Sequence, residues 1–349
     1  MKFFRKIGKD IGIDLGTAST RVFVPERGIV IHEPTVVAIN NKTNQILAVG
    51  AEAKQMLGKI PPHITVTRPL SHGIISDYEG AEKLLKYFLD KMQEEGGALM
   101  NRPRIIIGVP LAVTEVEIKA VEDAAIAAGA RDVFIVQEPM AAAIGARMPI
   151  QDPIGNMIVD IGAGKTEVAV ISLQGIVTWK STKIAGDEIN RNIIQYARDV
   201  FNLFVGESHA EQVKMKIGSA IELPEPIKFA LRGRDVISGL PKELIITDAH
   251  IREAIERSVQ VIVDLIKMTL EMTPPELTAD IHERGILLTG GGSLLHGMSE
   301  LITRATEIPV RIADDPTTSV VRGAGILLDD AVLLKEITLP SARDIRKYR

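Results

Sequence analysis

Two stretches of this chain spell the same short structure. Ile11-Gly-Ile-Asp14-Leu-Gly16-Thr-Ala-Ser-Thr20-Arg-Val22-Phe-Val24 lies over Met157-Ile-Val-Asp160-Ile-Gly162-Ala-Gly-Lys-Thr166-Glu-Val168-Ala-Val170 without a gap, and Asp, Gly, Thr and both valines coincide. Each copy reads as a short apolar strand, a turn carrying Asp, Gly and Thr, and an alternating second strand, which is the pattern of a β-hairpin. A duplication of this kind restricts the chain to two related halves, each containing one hairpin. Pro149-Ile-Gln-Asp-Pro153 reads as the crossing between them. Elsewhere strand-like runs alternate with helical ones, so the class is α/β.

The local signals agree with that class. Ile105 to Val109 reads as a buried strand, and Thr114-Glu-Val-Glu117 as a capping box opening a helix that runs to Gly129 as its C-cap. Asp132 to Val136 is the next strand, followed by a small-residue helix, Met140-Ala-Ala-Ala-Ile-Gly145, with Pro139 in its first turn. Ala81 to Glu95 is amphipathic, with Leu84, Leu85, Phe88, Leu89 and Met92 as its core face. The irregular stretch Glu222-Leu-Pro-Glu-Pro226 introduces a β-rich insertion, Lys228 to Thr247.

Composition removes several function classes. The chain has 349 residues, 46% of them hydrophobic, enough for a sizeable core in two domains or one large one. Its 41 basic and 45 acidic residues leave a net charge of −4 spread along the chain, so no nucleic-acid partner is expected. The absence of cysteine excludes disulfides, thiolate catalysis and Cys-ligated zinc, and fits a cytoplasmic location. Ile105 to Val113, the longest apolar run, contains Gly108 and Pro110 and is about half of the roughly 20 residues a membrane-spanning helix needs. Met1 to Lys9 is basic without the apolar region or cleavage site of a signal peptide, and is expected to stay on the mature protein.

The turns carry the chemistry. Glycine lets backbone N–H groups approach phosphate oxygens closely, and Ser and Thr hydroxyls add donors, which describes residues 14 to 20. An Asp at the strand end meets phosphate only with repulsion, so Asp14 and Asp160 are expected on the side of a divalent cation or its waters. Gly164-Lys165-Thr166 resembles the end of a P-loop, but Val159 stands where that pattern needs its first glycine, and the segment continues as a strand. A third glycine signal, Thr289-Gly290-Gly291-Gly292-Ser293, follows the strand Ile286-Leu287-Leu288 and precedes an apolar helical start at Leu294-Leu295. Glycine-rich backbone there allows a nucleotide to lie flat against the chain, with the helix N-terminus favouring anions.

These residues resemble the actin, Hsp70 and hexokinase superfamily, and more closely the MreB family, the bacterial actins of cell shape. Asp14-Leu-Gly-Thr-Ala-Ser19, Glu33-Pro-Thr-Val-Val-Ala38, Arg68-Pro69, Gly73-Ile-Ile-Ser-Asp77, Glu138-Pro-Met-Ala-Ala-Ala-Ile-Gly145, Ala185-Gly-Asp-Glu188, Thr273-Pro-Pro-Glu-Leu277 and Leu288-Thr-Gly-Gly-Gly-Ser-Leu-Leu295 are similar to that family in the same order. The resemblance implies an actin-like, ribonuclease H-like α/β fold of duplicated domains flanking a nucleotide cleft, each with a smaller subdomain. The first domain would take residues 10–150, with a subdomain at 33–75. The second would take 151–330, with an inserted subdomain at 186–248, and residues 331–349 would pack back on the first. ATP or ADP with Mg2+ is the implied cofactor. By the same resemblance Gly16, Thr17, Ala18 and Ser19 contact phosphates, as do Gly162, Ala163 and Gly164. Asp14 and Asp160 stand on the magnesium side. Glu211, Gln212, Val213 and Lys214, with Gly290, Gly291, Gly292 and Ser293, hold the adenosine, and Glu138 activates water.

Two departures bear on activity. The family reads Asp-Ile-Gly-Gly-Gly-Thr-Thr at the second hairpin, whereas this chain reads Asp160-Ile-Gly-Ala163-Gly-Lys165-Thr166. The Thr replaced by Lys165 is the one that positions the attacking water, so the resemblance implies a weak ATPase in which Lys165 either reaches the γ-phosphate as a point charge or is a solvated lysine at the cleft mouth. Ser19 replaces the usual Asn and keeps a donor.

Membrane and self-association readings complete the picture. At helical spacing Phe3, Phe4 and Ile7 share one face beside Lys2, Arg5, Lys6 and Lys9, the pattern of an interfacial anchor; a frayed basic terminus is the other reading. The loop Gly96-Gly-Ala-Leu99-Met100 ends in two large apolar residues, and the resemblance implies that it dips into the membrane. Polymerisation, and antiparallel pairing of protofilaments through Val116 and its helix, rest on resemblance alone. The implied function is a membrane-associated filament that organises cell-wall synthesis and rod shape. Its partners would be other copies of itself, the inner face of the cytoplasmic membrane and the membrane proteins of the wall-elongation machinery. The alternatives are another actin-like filament of magnetosome or plasmid type, a sugar or metabolite kinase of the same fold, and an Hsp70-like chaperone. The last would need a substrate-binding domain where this sequence has only residues 329–349.

Overall fold

The computed structural model describes residues 10–96 and 102–340. They divide into two units, the first built from the residues up to Asp152, Leu173–Gly175 and the residues from Thr318 onward, the second from Pro153–Ser172 and Ile176–Thr317.

Each unit rests on a five-stranded sheet, and the two sheets share one order. In the first the order is Asp132–Gln137, Arg104–Val109, Ile11–Leu15, Ser19–Val24, Gly28–Pro34. In the second it is Val310–Ile312, Ile286–Thr289, Asn156–Ile161, Thr166–Ser172, Gly175–Thr182. The hairpin strands pair antiparallel, Asp14 opposite Arg21 and Asp160 opposite Glu167. Beyond each hairpin the next two strands run parallel to its first strand. Whole sheets are therefore duplicated, not the hairpins alone. The parallel strands are continuous apolar runs because both faces are covered, as Ile105, Ile106 and Ile107 show by being wholly buried.

The local signals form the elements they describe. Thr114 caps the helix Glu115–Ala128 in a capping box with Glu117, and Gly129 ends it in the left-handed conformation. The amphipathic helix is Tyr78–Gly96, and Leu84, Leu85, Phe88, Leu89 and Met92 are buried in the core of the first unit with Ile11, Ile13 and Ile107. Burying side chains of this size contributes about 1.5–3 kcal/mol each. Lys228–Asp235 and Pro241–Thr247 pair as a hairpin, and Leu203–Phe204 adds a third strand to that sheet. In the first unit a separate three-stranded sheet holds Gln45–Val49, Val37–Asn40 and Ile64–Thr67.

Two expectations are corrected. The helical start at Leu294-Leu295 is a 3-10 turn, Gly291–Leu294, and the α-helix begins only at Met298, after Gly297 takes φ 68°. Leu295 is extended and buried, while the next residue, His296, bridges to Ser219. The helix Ser319–Asp329, placed by sequence in the second domain, lies in the first unit. The cause is its packing on the small-residue helix Glu138–Gly145. A Cβ on Gly323 would lie 1.8 Å from the Ala141 carbonyl oxygen, and one on Gly145 would lie 1.9 Å from that of Ser319. Glycine lets these two backbones touch, and no other residue fits.

Gly323→Ala is therefore expected to destabilise the protein by about 1–3 kcal/mol through forced separation of the two helices. Chemical denaturation measures this, and an unchanged midpoint would contradict the packing described.

Candidate functional site

In both units the candidate residues sit at the carboxyl ends of the parallel strands, where α/β sheets bind ligands. Asp14 lies near the end of Ile11–Leu15 and Glu138 follows Asp132–Gln137 in the same sheet. In the other sheet Asp160 pairs in register with Thr289, immediately before Gly290.

The first hairpin is braced from behind. Thr35 donates from Oγ1 to the Gly16 carbonyl at 2.7 Å and lies 3.0 Å from the Thr20 hydroxyl, and its N–H donates to the Ala18 carbonyl at 3.0 Å. Thr17 Oγ1 accepts the Gly73 N–H at 2.8 Å. These bonds tie the motifs Glu33–Ala38 and Gly73–Asp77 to the turn and leave Ala18 exposed and Ser19 half-buried at its tip. Asp14 is 8% exposed, and its Oδ2 accepts from Arg21 Nη1 at 3.2 Å. Glu138 is 7% exposed at the start of its helix. A Cβ at position 108 would stand 3.0 Å from the Glu138 Cγ, so glycine in the adjacent strand makes room for that side chain.

The second hairpin is closed by the Gly162 N–H donating to the Lys165 carbonyl at 2.9 Å. Thr166 Oγ1 donates to the Ile184 carbonyl at 2.8 Å, and the start of the helix Gly186–Phe201 docks on the turn, Gly186 N–H on the Gly162 carbonyl at 3.1 Å and Asp187 N–H on that of Ala163 at 2.8 Å. Lys165 forms an ion pair with Glu167, their side chains 12% and 1% exposed. The solvated-lysine reading therefore fails: this ammonium is held against the hairpin by a buried carboxylate. Asp160 is 9% exposed and stands across the strand pair from the same Glu167.

Two further segments converge on this turn within the second unit. Lys214 donates from Nζ to the Gly186 carbonyl at 2.9 Å, which fixes it beside Ala163 and Gly162. The Gly290 backbone, at φ 78°, passes so close to the end of Asn156–Ile161 that a Cβ there would lie 2.3 Å from Asp160 Oδ1 and 2.4 Å from the Ile161 carbonyl oxygen. Ser293 caps the turn, its hydroxyl donating to the Gly290 carbonyl at 2.6 Å. Gly291 is exposed and Gly292 packs on Ile161. Residues 162–165, 186–187, 214 and 290–293 are thus one surface, with glycine backbone, a fixed ammonium and a carboxylate side by side.

Some expected residues fall elsewhere. Val213 is wholly buried in the core of the second unit, on the inner face of the helix Glu207–Ile217. Gln212 is exposed, and Glu211 lies half-buried on that helix. Val116 is 78% exposed in the first turn of its helix. Phe3, Phe4, Ile7, Leu99 and Met100 lie outside the described residues. No helix among the described residues is long and apolar enough to cross a membrane.

The sequence reading missed three participants: Gly186, Arg21 and Glu167. Gly186 stood in a quoted motif without a role. Arg21 and Glu167 occupy the same position of the two hairpin copies, facing Asp14 and Asp160, and the gapless alignment already held that signal.

Asp14 and Asp160 are the carboxylates near the ends of the first strands of the two hairpins. Mg2+ is usually held by one or two carboxylates together with phosphates and waters. Asp160, beside Glu167 and the glycine turn, fits that habit. Asp14 already accepts from a guanidinium. Among the described residues no group of three or more acidic or histidine side chains forms a cage.

Comparison with known proteins agrees with the architecture. The model of the MreB/Mbl protein family matches residues 8–336. The cell shape-determining protein Mbl of Bacillus subtilis (strain 168) is 44% identical over 322 residues, covering 92% of this chain and 96% of that protein. The cell shape-determining protein MreB of Escherichia coli (strain K12) is 43% identical over 332 residues, covering 94% and 95%. MreB5 of Spiroplasma citri bound to ADP superposes with a TM-score of 0.89 at 36% identity, over 95% of this chain and 98% of that one, and its complex with AMPPNP superposes with 0.88. The MamK double helical filament, at 23% identity and a TM-score of 0.78 over 91% of this chain and 98% of that one, shares the fold. The duplicated sheets are an actin-like fold, and the chain belongs to the MreB/Mbl family of cell shape-determining proteins.

Proposed function

We propose that this chain is an actin-like cytoskeletal protein that binds ATP or ADP with Mg2+, polymerises with copies of itself, and lies as filaments on the inner face of the cytoplasmic membrane to organise cell-wall synthesis. The observation that carries the nucleotide part is the convergence, in one unit, of the Gly162–Gly164 turn, Lys214 and the Gly290–Ser293 turn beside Asp160. Backbone N–H groups of the Gly162–Gly164 turn hold phosphate oxygens, Asp160 stands on the metal side, and the glycine turn takes the nucleoside. The support from relatives is that MreB5 of Spiroplasma citri is bound to ADP in one structure and AMPPNP in another. A kinase reading would need a second substrate beside the phosphates, whereas the related Mbl and MreB are named for cell shape.

For hydrolysis, Glu138 is the carboxylate suited to orient a water for in-line attack. Lys165 occupies the place of a hydroxyl, and its pairing with Glu167 holds a positive charge there in place of a group that can both accept from and donate to water. Turnover is slow for that reason, with binding retained. Val116 is the exposed apolar contact for pairing of filaments. Membrane attachment comes from Phe3, Phe4 and Ile7 together with Leu99 and Met100, each anchor weak alone and strong when repeated along a polymer.

Three outcomes test this. Gly290→Val places a branched side chain against Asp160 and is expected to weaken binding of a fluorescent ATP analogue by about tenfold or more, some 1.4 kcal/mol; native affinity in this variant would sink the site. Lys165→Thr is expected to raise phosphate release about tenfold if a positioned hydroxyl contributes as a proton-relay group does, and an unchanged rate rules out a catalytic effect of the lysine. With ATP and anionic liposomes, electron microscopy is expected to show filaments on the membrane. Deleting residues 1–9 together with Leu99→Ser and Met100→Ser is expected to leave filaments but release them, and undiminished co-sedimentation with lipid refutes the two anchors.

A further inference from the structure

Ser219 carries a wholly buried hydroxyl outside the surface described above. It follows the helix Glu207–Ile217, which ends at Gly218 in extended backbone shortly after Lys214. There the chain runs beside the segment that leaves the glycine turn, and the two form a parallel bridge, Ser219 with His296. The His296 N–H donates to the Gly218 carbonyl at 3.3 Å, and the Ala220 N–H donates to the His296 carbonyl at 2.7 Å. The Ser219 hydroxyl shapes this crossing. It donates to the Ile221 carbonyl at 2.7 Å, accepts the Ile221 N–H at 3.3 Å and lies 3.3 Å from the His296 carbonyl oxygen.

Two glycines let the segments close on each other. A Cβ on Gly218 would lie 2.8 Å from Leu295 Cδ1, and one on Gly297, at φ 68°, would lie 2.2 Å from Ile221 Cγ1. A third element anchors the clasp. The Ile221 carbonyl also accepts from Arg252 Nη1 at 3.2 Å, and Arg252 pairs with Asp248, whose side chain is 4% exposed, in the first turns of the helix Asp248–Glu271. All of these residues belong to the second unit.

The clasp sets a spacing within the candidate site. On one side the chain leads back to Lys214, fixed on the Gly186 carbonyl. On the other it leads back through the Leu295 N–H, which donates to the Gly292 carbonyl at 3.1 Å, to Ser293 and Gly290. A ligand held by both segments meets a separation that neither sets alone. Fixing that separation in advance removes ordering that binding would otherwise require.

We propose that Ser219 is a positioning residue for the nucleoside: it touches no ligand, and it sets the separation between the helix that carries Lys214 and the Gly290–Ser293 turn. The inference rests on the nucleotide reading above and concerns the nucleoside half alone, because the Gly162–Gly164 turn is closed by its own bond to Lys165.

The test is displacement of a fluorescent ATP analogue by ADP and by inorganic tripolyphosphate, for the native chain, Ser219→Ala and Gly297→Ala, with the folding of each followed by circular dichroism. Ser219→Ala is expected to weaken ADP about fivefold or more, as the loss of a buried hydrogen bond does, while tripolyphosphate stays within about twofold. Gly297→Ala forces the same clasp apart from its other side and is expected to give the same split, so it carries the test should Ser219→Ala not fold. Native ADP affinity in the folded variants overturns the proposal. An equal loss for both competitors overturns it too, because that marks a general loosening of the unit. A native chain that does not bind the analogue overturns the nucleotide reading itself, an outcome distinct from native binding that the variants leave unchanged.

Discussion

A buried carboxylate near the end of a strand, present once in each unit, is the constraint on which each hairpin depends. Asp14 and Asp160 are 8% and 9% exposed, and a carboxylate so placed needs hydrogen-bond or ionic partners. The hairpin register decides what compensates it, since one cross-strand neighbour is Arg21 and the other is Glu167. Glu167 in turn forms an ion pair with Lys165. The glycine turn at 290 lies against Asp160, so close that a Cβ on Gly290 would stand 2.3 Å from its Oδ1.

Packing of the same economy positions the catalytic candidate. Glu138 begins a helix that is buried along its whole length, and it can be so placed only because the helix is made of small residues and meets another through glycine. The chain must return from the second unit to supply that partner, Ser319–Asp329. Gly12 and Gly325 extend the arrangement, with room for no Cβ against Ala324 and Phe23 respectively. Backbone contact replaces side-chain interdigitation along this seam, which makes its spacing stiff and holds Glu138 at the strand end.

Much of this was legible in residues. The hairpins, the capping box at Thr114, the C-cap at Gly129 and the core face of Tyr78–Gly96 follow from local rules, because each depends on neighbours in sequence. What was hidden depends on partners distant in sequence. Nothing local says that Ser319–Asp329 packs on Glu138–Gly145, or that Leu295 is held extended while His296 bridges to Ser219, which delays the helix to Met298. The segment Ala210–Lys214 is similar: Val213 is buried in the core while Lys214 reaches the Gly186 carbonyl, and only the packing of Glu207–Ile217 separates the two. Arg21 and Glu167 were legible in the alignment but look unremarkable until the register sets them opposite the aspartates.

The inequality of the two hairpins also explains how a duplicated structure can divide its labour. The turns themselves are backbone geometry, which survives duplication unchanged as long as Asp, Gly and Thr keep their places. Side chains at the remaining positions are then free to diverge, and they have done so at the two positions that carry charge: Ser19 corresponds to Lys165, and Arg21 to Glu167. Those changes are not independent. Breaking a buried ion pair by removing one partner costs about 3–5 kcal/mol, and Glu167, its side chain 1% exposed, is one member of the pair that Lys165 makes. A lysine that looks like a catalytic substitution in the sequence is, in the structure, first an electrostatic one, paired with a buried carboxylate two residues along the same hairpin.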